Sequence, residues 1–201
     1  IRANPTNYPN LWDRHLGRGG NGVWMYGVDK KLKDYESNGC IELENANIAA
    51  MEDLIQLYDT PIIIYETVTM APVERLAAQG QKVVGFIESW GRAWFNKDYE
   101  AYESHYAPDF VNSDGQSYAE WMAHKRKVGA QASHIRLVVT GLKMFRHRDV
   151  IVAIFQQEYQ VDDGFASSGL KRLYLKSEGE SFKIVGEEFQ PLPDKTTTKW
   201  L

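Results

Sequence analysis

Hydrophobic positions recur along this chain with two different periods. Ile48, Met51, Leu54, Ile55 and Tyr58 return every three or four residues and predict a helix, which Asn45 or Asn47 can cap with a side-chain oxygen. Short apolar runs flank it, Cys40–Leu43 before and Ile62–Tyr65 after Pro61. The second, rich in β-branched residues, suits a buried strand. Upstream, Gly17, Gly19, Gly20, Gly22, Gly27 and Gly39, with Pro5 and Pro9, predict an irregular chain with one short strand, Gly22–Tyr26. Pro72, small residues and Gly80 mark a connector over 66–81. Helical spacing resumes at Val83, Val84, Ile87, Trp90, Trp94 and Phe95. A short second helix follows, stopped by Pro108, and a third is capped by Ser117 and runs to about Val128. From there the period is two, over Ile135–Met144, Val150–Val161, Gly169–Ser177 and Ser181–Gln190. Three helices followed by a meander of long strands predict an α+β layout whose sheet curls round the helices. A polar tail, Pro191–Leu201, ends the chain. No internal repeat or low-complexity tract is visible.

The 201 residues allow one large domain or two small ones. Six Trp and eleven Tyr exclude a disordered polymer. Lys and Arg number 23 against 27 Asp and Glu, and a net charge of −4 argues against a general nucleic-acid binder. No apolar run approaches the ~20 residues that cross a bilayer, so no transmembrane segment is expected. The chain starts at Ile1 without Met or signal peptide, as a mature or truncated fragment would. His105, His134 and His147 show no metal-ligand spacing, so neither metal nor other cofactor is expected.

Cys40 is the single cysteine, which rules out an internal disulfide and draws attention to the thiol. Gly39 before it permits a sharp turn that brings backbone N–H groups toward an oxyanion. The plainer reading is a small buried apolar side chain. The segment "SNGCIELEN" resembles the S-x-G-C-[IV]-x-L-x-N signature of L,D-transpeptidases, the YkuD-like enzymes of bacterial cell walls. The stretch "NYPNLWDRHLGRGGNGVWMYG" before it is similar to that family as well. The resemblance covers about residues 5–66 and implies the C-terminal part of such a domain. It implies Cys40 as a nucleophile on peptidoglycan stem peptides, in a transpeptidase or L,D-carboxypeptidase. Gly27 and Gly39 would shape the backbone and Ser37 would hold the loop. The sequence departs where the family has its catalytic His, which is Tyr26 here. A phenol is a poor base at neutral pH. Earlier strands of the family domain are also missing, so a degenerate site is one implied outcome.

Residues 81–190 resemble the NTF2-like (SnoaL-like) fold through Trp90, Ala93, Trp94, Asp98, Ala101, Tyr102, Tyr106, Asp109 and Phe110. That fold implies a cone of three helices packed on a curved antiparallel sheet, with a pocket lined by Trp90, Trp94, Tyr102, Trp121, Phe155, Tyr159 and Tyr174. Asp109, His124, Gln157, Glu158, Lys171 and Arg172 are its polar candidates. Strand alternation puts Gln157 and Tyr159 on one face and Gln156 and Glu158 on the other, without choosing the inner one. The expected organisation is a partial YkuD-like β-rich lobe over 1–68, a linker over 69–80, an NTF2-like domain over 81–192 and a tail over 193–201. Three functions stay open: a cysteine acyltransferase of the cell wall, a non-catalytic cell-wall binding or dimerisation protein working through the NTF2-like pocket, or an NTF2-like enzyme acting on an unrelated small molecule in that pocket. The first two place the chain in the bacterial envelope, periplasmic or exported, with peptidoglycan peptide or glycan as partner. A homodimer through the NTF2-like sheet is a further expectation.

Overall fold

Glycine and proline cut the first forty residues into pieces too short for more than local pairing. In the computed structural model, which describes residues 3–34, 36–67, 69–162 and 164–192, the chain divides into two units, residues 1–69 and 70–201. In the first unit β1 (Ala3–Pro5) runs antiparallel to β2 (Trp24–Val28), and β2 runs parallel to β3 (Ile41–Glu44). Helix α1 (Leu11–His15) starts with a reciprocal cap. Asp13 N–H donates to Asn10 Oδ1, and Asn10 N–H donates to the Asp13 carboxylate. Helix α2 (Asn45–Ala50) leaves β3 directly and buries Ile48. A Cβ at Gly27 would collide with Asn45 Oδ1 and Ile48, so a bare backbone there lets α2 close onto β2.

Three expectations for this unit are corrected. The helix expected through Tyr58 stops at Ala50 and gives way to a single 3₁₀ turn, Glu52–Leu54. Ile62–Tyr65 forms no strand and is exposed, with Ile64 at 65%; the described sheet of this unit consists of β1, β2 and β3 alone. Three short strands do not amount to the expected YkuD-like lobe.

In the second unit α3 (Val73–Phe95) begins right after Pro72, inside the segment expected to be a linker. Helix α4 (Tyr99–Ser104) is capped by Asp98, which accepts from Ala101 N–H at 3.0 Å. The second helix does not run to Pro108. It ends at Ser104, and Pro108 lies within β4 (Tyr106–Asn112), an edge strand with an irregular register where a missing N–H is tolerated. Helix α5 (Tyr118–Gln131) starts with the Ser117–Glu120 capping box. Strands β5 (Ile135–His147), β6 (Val150–Val161), β7 (Ala166–Glu178) and β8 (Ser181–Pro191) follow, in the sheet order β4-β8-β7-β6-β5. β5 to β8 pair antiparallel, but β4 lies parallel to β8, so the sheet is mixed rather than wholly antiparallel.

Register decides which face meets the helices. Ala153, Leu173 and Glu187 stand side by side across β6, β7 and β8, and Phe155, Lys171 and Phe189 form the next row. Ala153, Phe155 and Leu173 join Val83, Ile87, Trp90 and Trp94 of α3 in one core. Gln157 and Tyr159 share that inner face by the period of two. The tail 193–201 lies outside the described residues.

Candidate functional site

The interior of the second unit contains a chain of polar groups among aromatic rings. Trp90 Nε1–H donates to Tyr106 Oη at 2.9 Å, and Tyr106 Oη–H donates to Glu187 Oε2 at 2.8 Å. Tyr106 therefore spends its one proton on Glu187. Tyr102, 2.5 Å away, must be the donor to Tyr106. Lys171 donates to Glu187 Oε1, and both side chains are nearly sealed, at 6% and 2% exposure. Burial, reinforced by the Glu187 charge, holds the Tyr102 and Tyr106 phenols well above their usual range, so they stay neutral. Burial pushes the Glu187 carboxyl up, but Lys171 and Lys125 more than offset it, and the net shift is below the ordinary 4.5. Glu187 is ionised at neutral pH.

Lys125 closes this interior on the α5 side. It follows Trp121 by four residues, so the two share one helix face. Its Nζ lies 4.4 Å from the Trp121 ring centroid and 4.7 Å from that of Trp94. Among the described residues it makes no hydrogen bond and no ion pair. Burial lowers its pKa to about 8; Glu187 opposes that shift and Lys171 adds to it. Trp121 Nε1 is buried with no hydrogen-bond partner among the described residues. Tyr159 stacks on Trp94 at 6.4 Å and borders an open cleft of about 280 Å³ at the ends of β6 and β7, together with Arg136 and Ser167.

The expected pocket residues separate into three groups. Trp90, Trp94, Tyr102 and Phe155 are inside but packed as core. Trp121 and Tyr159 are partly buried, Trp121 against Lys125. Tyr174 points to the other face of β7, where its hydroxyl donates to Glu188 at 2.6 Å, so it does not line the interior. Of the polar candidates, Gln157 and Lys171 face inward. Arg172 faces outward and donates to Gln190 at 2.9 Å. Glu158 and Asp109 are exposed, and His124 stacks on the Trp121 ring at 5.4 Å.

In the first unit, Ser37 Oγ–H donates to the Cys40 carbonyl at 2.7 Å. Gly39 adopts φ 96°, and Cys40 is partly exposed. Gly27 lies beneath α2 and offers only backbone. Tyr26 faces Glu42 across the β2–β3 pair and donates its hydroxyl to Glu42 Oε1 at 3.0 Å, while Lys30 holds Oε2 at 2.9 Å. The hydrogen bond to Glu42 raises the Tyr26 phenol, which makes it a donor rather than a base. His15 stacks on Trp12 at 4.6 Å.

A family model described as the Cds6 C-terminal NTF2-like domain matches residues 82–188, more than half of the chain. The chain belongs to the Cds6 C-terminal NTF2-like domain family. Among solved structures the chain is similar to Bd1075 of Bdellovibrio bacteriovorus, with 29% identity and a TM-score of 0.80. That match covers 96% of this chain and 70% of the other. It is also similar in fold to Pgp2 of Campylobacter jejuni, a helical cell shape determining protein, with 22% identity and a TM-score of 0.69 over 92% of this chain and 67% of that one. An NTF2-like protein of unknown function from Pseudomonas putida matches 60% of this chain at 15% identity and a TM-score of 0.51. The chain spans about two thirds of the length of Bd1075 and Pgp2. No curated protein matches it by sequence. The resemblance of residues 5–66 to L,D-transpeptidases is corrected by these findings. The matched family is NTF2-like, and neither Bd1075 nor Pgp2 is described as a transpeptidase in the matches above. The S-x-G-C pattern survives as a hydrogen-bonded turn at Ser37 and Cys40.

Proposed function

We propose that the chain is a non-catalytic binding protein of the bacterial cell envelope, acting in cell shape through the interior site of its NTF2-like unit. The observation that carries this reading is the half-buried Lys125 ammonium, 4.7 and 4.4 Å from the Trp94 and Trp121 ring centroids beside a satisfied Lys171–Glu187 pair, with no acceptor among the described residues. A unit built only for stability does not need a third charge packed against the rings that border its sealed ion pair. The fold shared with Pgp2, a cell shape determining protein, supports the choice of partner, which is peptidoglycan through its glycan or stem peptides. The protein would meet it as an exported or periplasmic protein. No helix among the described residues is long and apolar enough to cross a membrane.

Co-sedimentation with purified peptidoglycan sacculi tests the proposal. The full chain should pellet with sacculi, and Trp121→Ala should stay largely in the supernatant. A wild-type chain that remains soluble at every sacculus concentration would overturn it.

A further inference from the structure

We propose that the groove between α4 and α5 is a second binding site, for an uncharged oligosaccharide that lays a sugar ring on Tyr118 and shares its hydroxyls between Arg126 and Glu103. The groove opens on the outside of the second unit, apart from the interior described above. It rests on the envelope role only for the choice of sugar.

The groove is an open cleft of about 830 Å³, bordered by α4, α5, β4, the end of β7 and the start of β8. That lies within the roughly 300–1,000 Å³ of small-molecule sites and leaves room for a short oligosaccharide. Tyr118, Met122 and Arg126 recur at every fourth position of α5 and share one face, next to the face that carries Trp121 and Lys125. Met122 is buried and anchors that face, while Tyr118 and Arg126 line the groove. Tyr99 of α4 packs on α5 at Gly129, and its ring supports the Arg126 guanidinium at 5.4 Å. Arg126 Nε–H donates to Glu103 Oε1 at 2.5 Å. That bond uses one of the five guanidinium N–H groups and one of the two carboxylate oxygens. The other donors and Glu103 Oε2 make no hydrogen bond among the described residues. Burial, with the Glu103 charge beside it, raises the Tyr118 phenol, so its hydroxyl keeps its proton.

Charge decides the class of ligand. Arg126 is paired with Glu103. Lys183 lies 3.5 Å from Glu178 and donates to the Ser104 carbonyl at 2.6 Å. Asp98 is occupied in capping α4, and Lys97 donates to the Ala132 carbonyl at 2.8 Å. A strongly charged ligand would have to break one of these pairs, and an uncharged polyol would not. Each hydroxyl of a sugar both donates and accepts. One can donate to Glu103 Oε2 while its neighbour accepts from an Arg126 Nη–H, and the C–H face of the ring packs on Tyr118. The glycan of peptidoglycan offers such rings to an envelope protein.

Calorimetric titration and ligand-observed NMR of the full chain test the groove with three probes: N,N′,N″-triacetylchitotriose, its fully deacetylated cationic counterpart, and anionic trigalacturonate. The acetylated trisaccharide should bind most tightly. Tyr118→Ala should weaken it at least tenfold. Arg126→Lys, at an exposed position where the fold is not at stake, should weaken it at least fivefold because an ammonium cannot present the guanidinium fork. Circular dichroism checks that both variants are folded. A folded Arg126→Lys that binds like wild type would overturn the groove, as would binding that survives both substitutions and is lost on Trp121→Ala. Tighter binding of either charged trisaccharide would overturn the ligand class. A chain that pellets with sacculi but binds no trisaccharide would overturn the groove and leave the envelope role standing. A chain that binds triacetylchitotriose through Tyr118 and Arg126 but ignores sacculi would keep the groove and overturn the envelope role.

Discussion

Lys125→Met should stabilise the protein at neutral pH while removing the ammonium on which the proposed interior site rests. The structure sets the size of the effect. The amine falls from an ordinary 10.5 to about 8, chiefly through burial. At about 1.4 kcal/mol per pKa unit this is on the order of 3 kcal/mol against the charged folded state. Lys125 is partly exposed, and water reaching it reduces the expected gain to about 2 kcal/mol. Between pH 8 and 10.5 the unfolded chain holds the Lys125 proton and the folded chain has lost it, so wild-type stability rises with pH across that window. Met has no proton to lose, so the gap between variant and wild type closes by about 1.4 kcal/mol per unit above pH 8. Thermal melts of both proteins at pH 7 and pH 9.5 read this directly. About 2 kcal/mol corresponds to roughly 6 °C for a unit of this size. Readings stay below pH 10 because the Tyr102 and Tyr106 phenols, raised well above 10 in the fold, ionise first in the unfolded chain and reverse the slope. A variant no more stable than wild type at pH 7, or a gap that stays constant to pH 9.5, would refute the reasoning.

Glu187→Gln should cost about 3–5 kcal/mol in urea unfolding, because it leaves the sealed Lys171 charge unpaired. Adding Lys171→Met should restore at least about 1 kcal/mol through the coupling of the pair. The Glu187 carboxyl titrates below 4.5 in the fold, so its contribution to stability is complete above that pH and drains away as the medium is acidified through the folded value. Burial keeps the His105 imidazole below its ordinary 6.5, and its nitrogens contact Ala101 O at 2.7 Å and Ser89 Oγ at 3.1 Å. Acidifying below pH 6.5 should therefore destabilise wild type more than His105→Gln, as melts at pH 5.5 and 7 would show. Gly129→Ala would drive a methyl into Tyr99 Oη and should cost about 1–3 kcal/mol, part of which Tyr99→Phe recovers; chemical denaturation of the double variant measures the rescue.

Long periodic elements were legible in the sequence. Val150–Val161 has the boundaries expected from alternation, and Ser117 caps α5 as its hydroxyl and Glu120 suggest. Short elements were not. The second helix is expected to run to Pro108, yet β8 draws the chain from Tyr106 onward into a parallel edge strand. Ile62–Tyr65 has the composition of a buried strand, yet it forms none and is exposed. The candidate site was half visible. Trp94, Trp121, Tyr159 and Lys171 stood out by type or spacing. Glu187 did not, because the register shifts between Tyr174 and Leu175, and that irregularity changes which β8 residues face inward. Simple alternation from Phe182 and Ile184 puts Glu188 on the inner face and Glu187 outside. Lys125 was hidden among the basic residues of a polar helix. Only its offset of four from Trp121 marks it.

The uncovered Ile62–Tyr65 stretch has a practical consequence at the bench. Three isoleucines and a tyrosine in a row, with no charge among them, match the short β-prone windows that stack between molecules in concentrated solution. Preparations of this chain should turn cloudy with a steep dependence on concentration, at a rate set by this segment rather than by unfolding of the NTF2-like unit. A lysine at position 63 should delay that clouding while leaving the melting temperature of the second unit where it was.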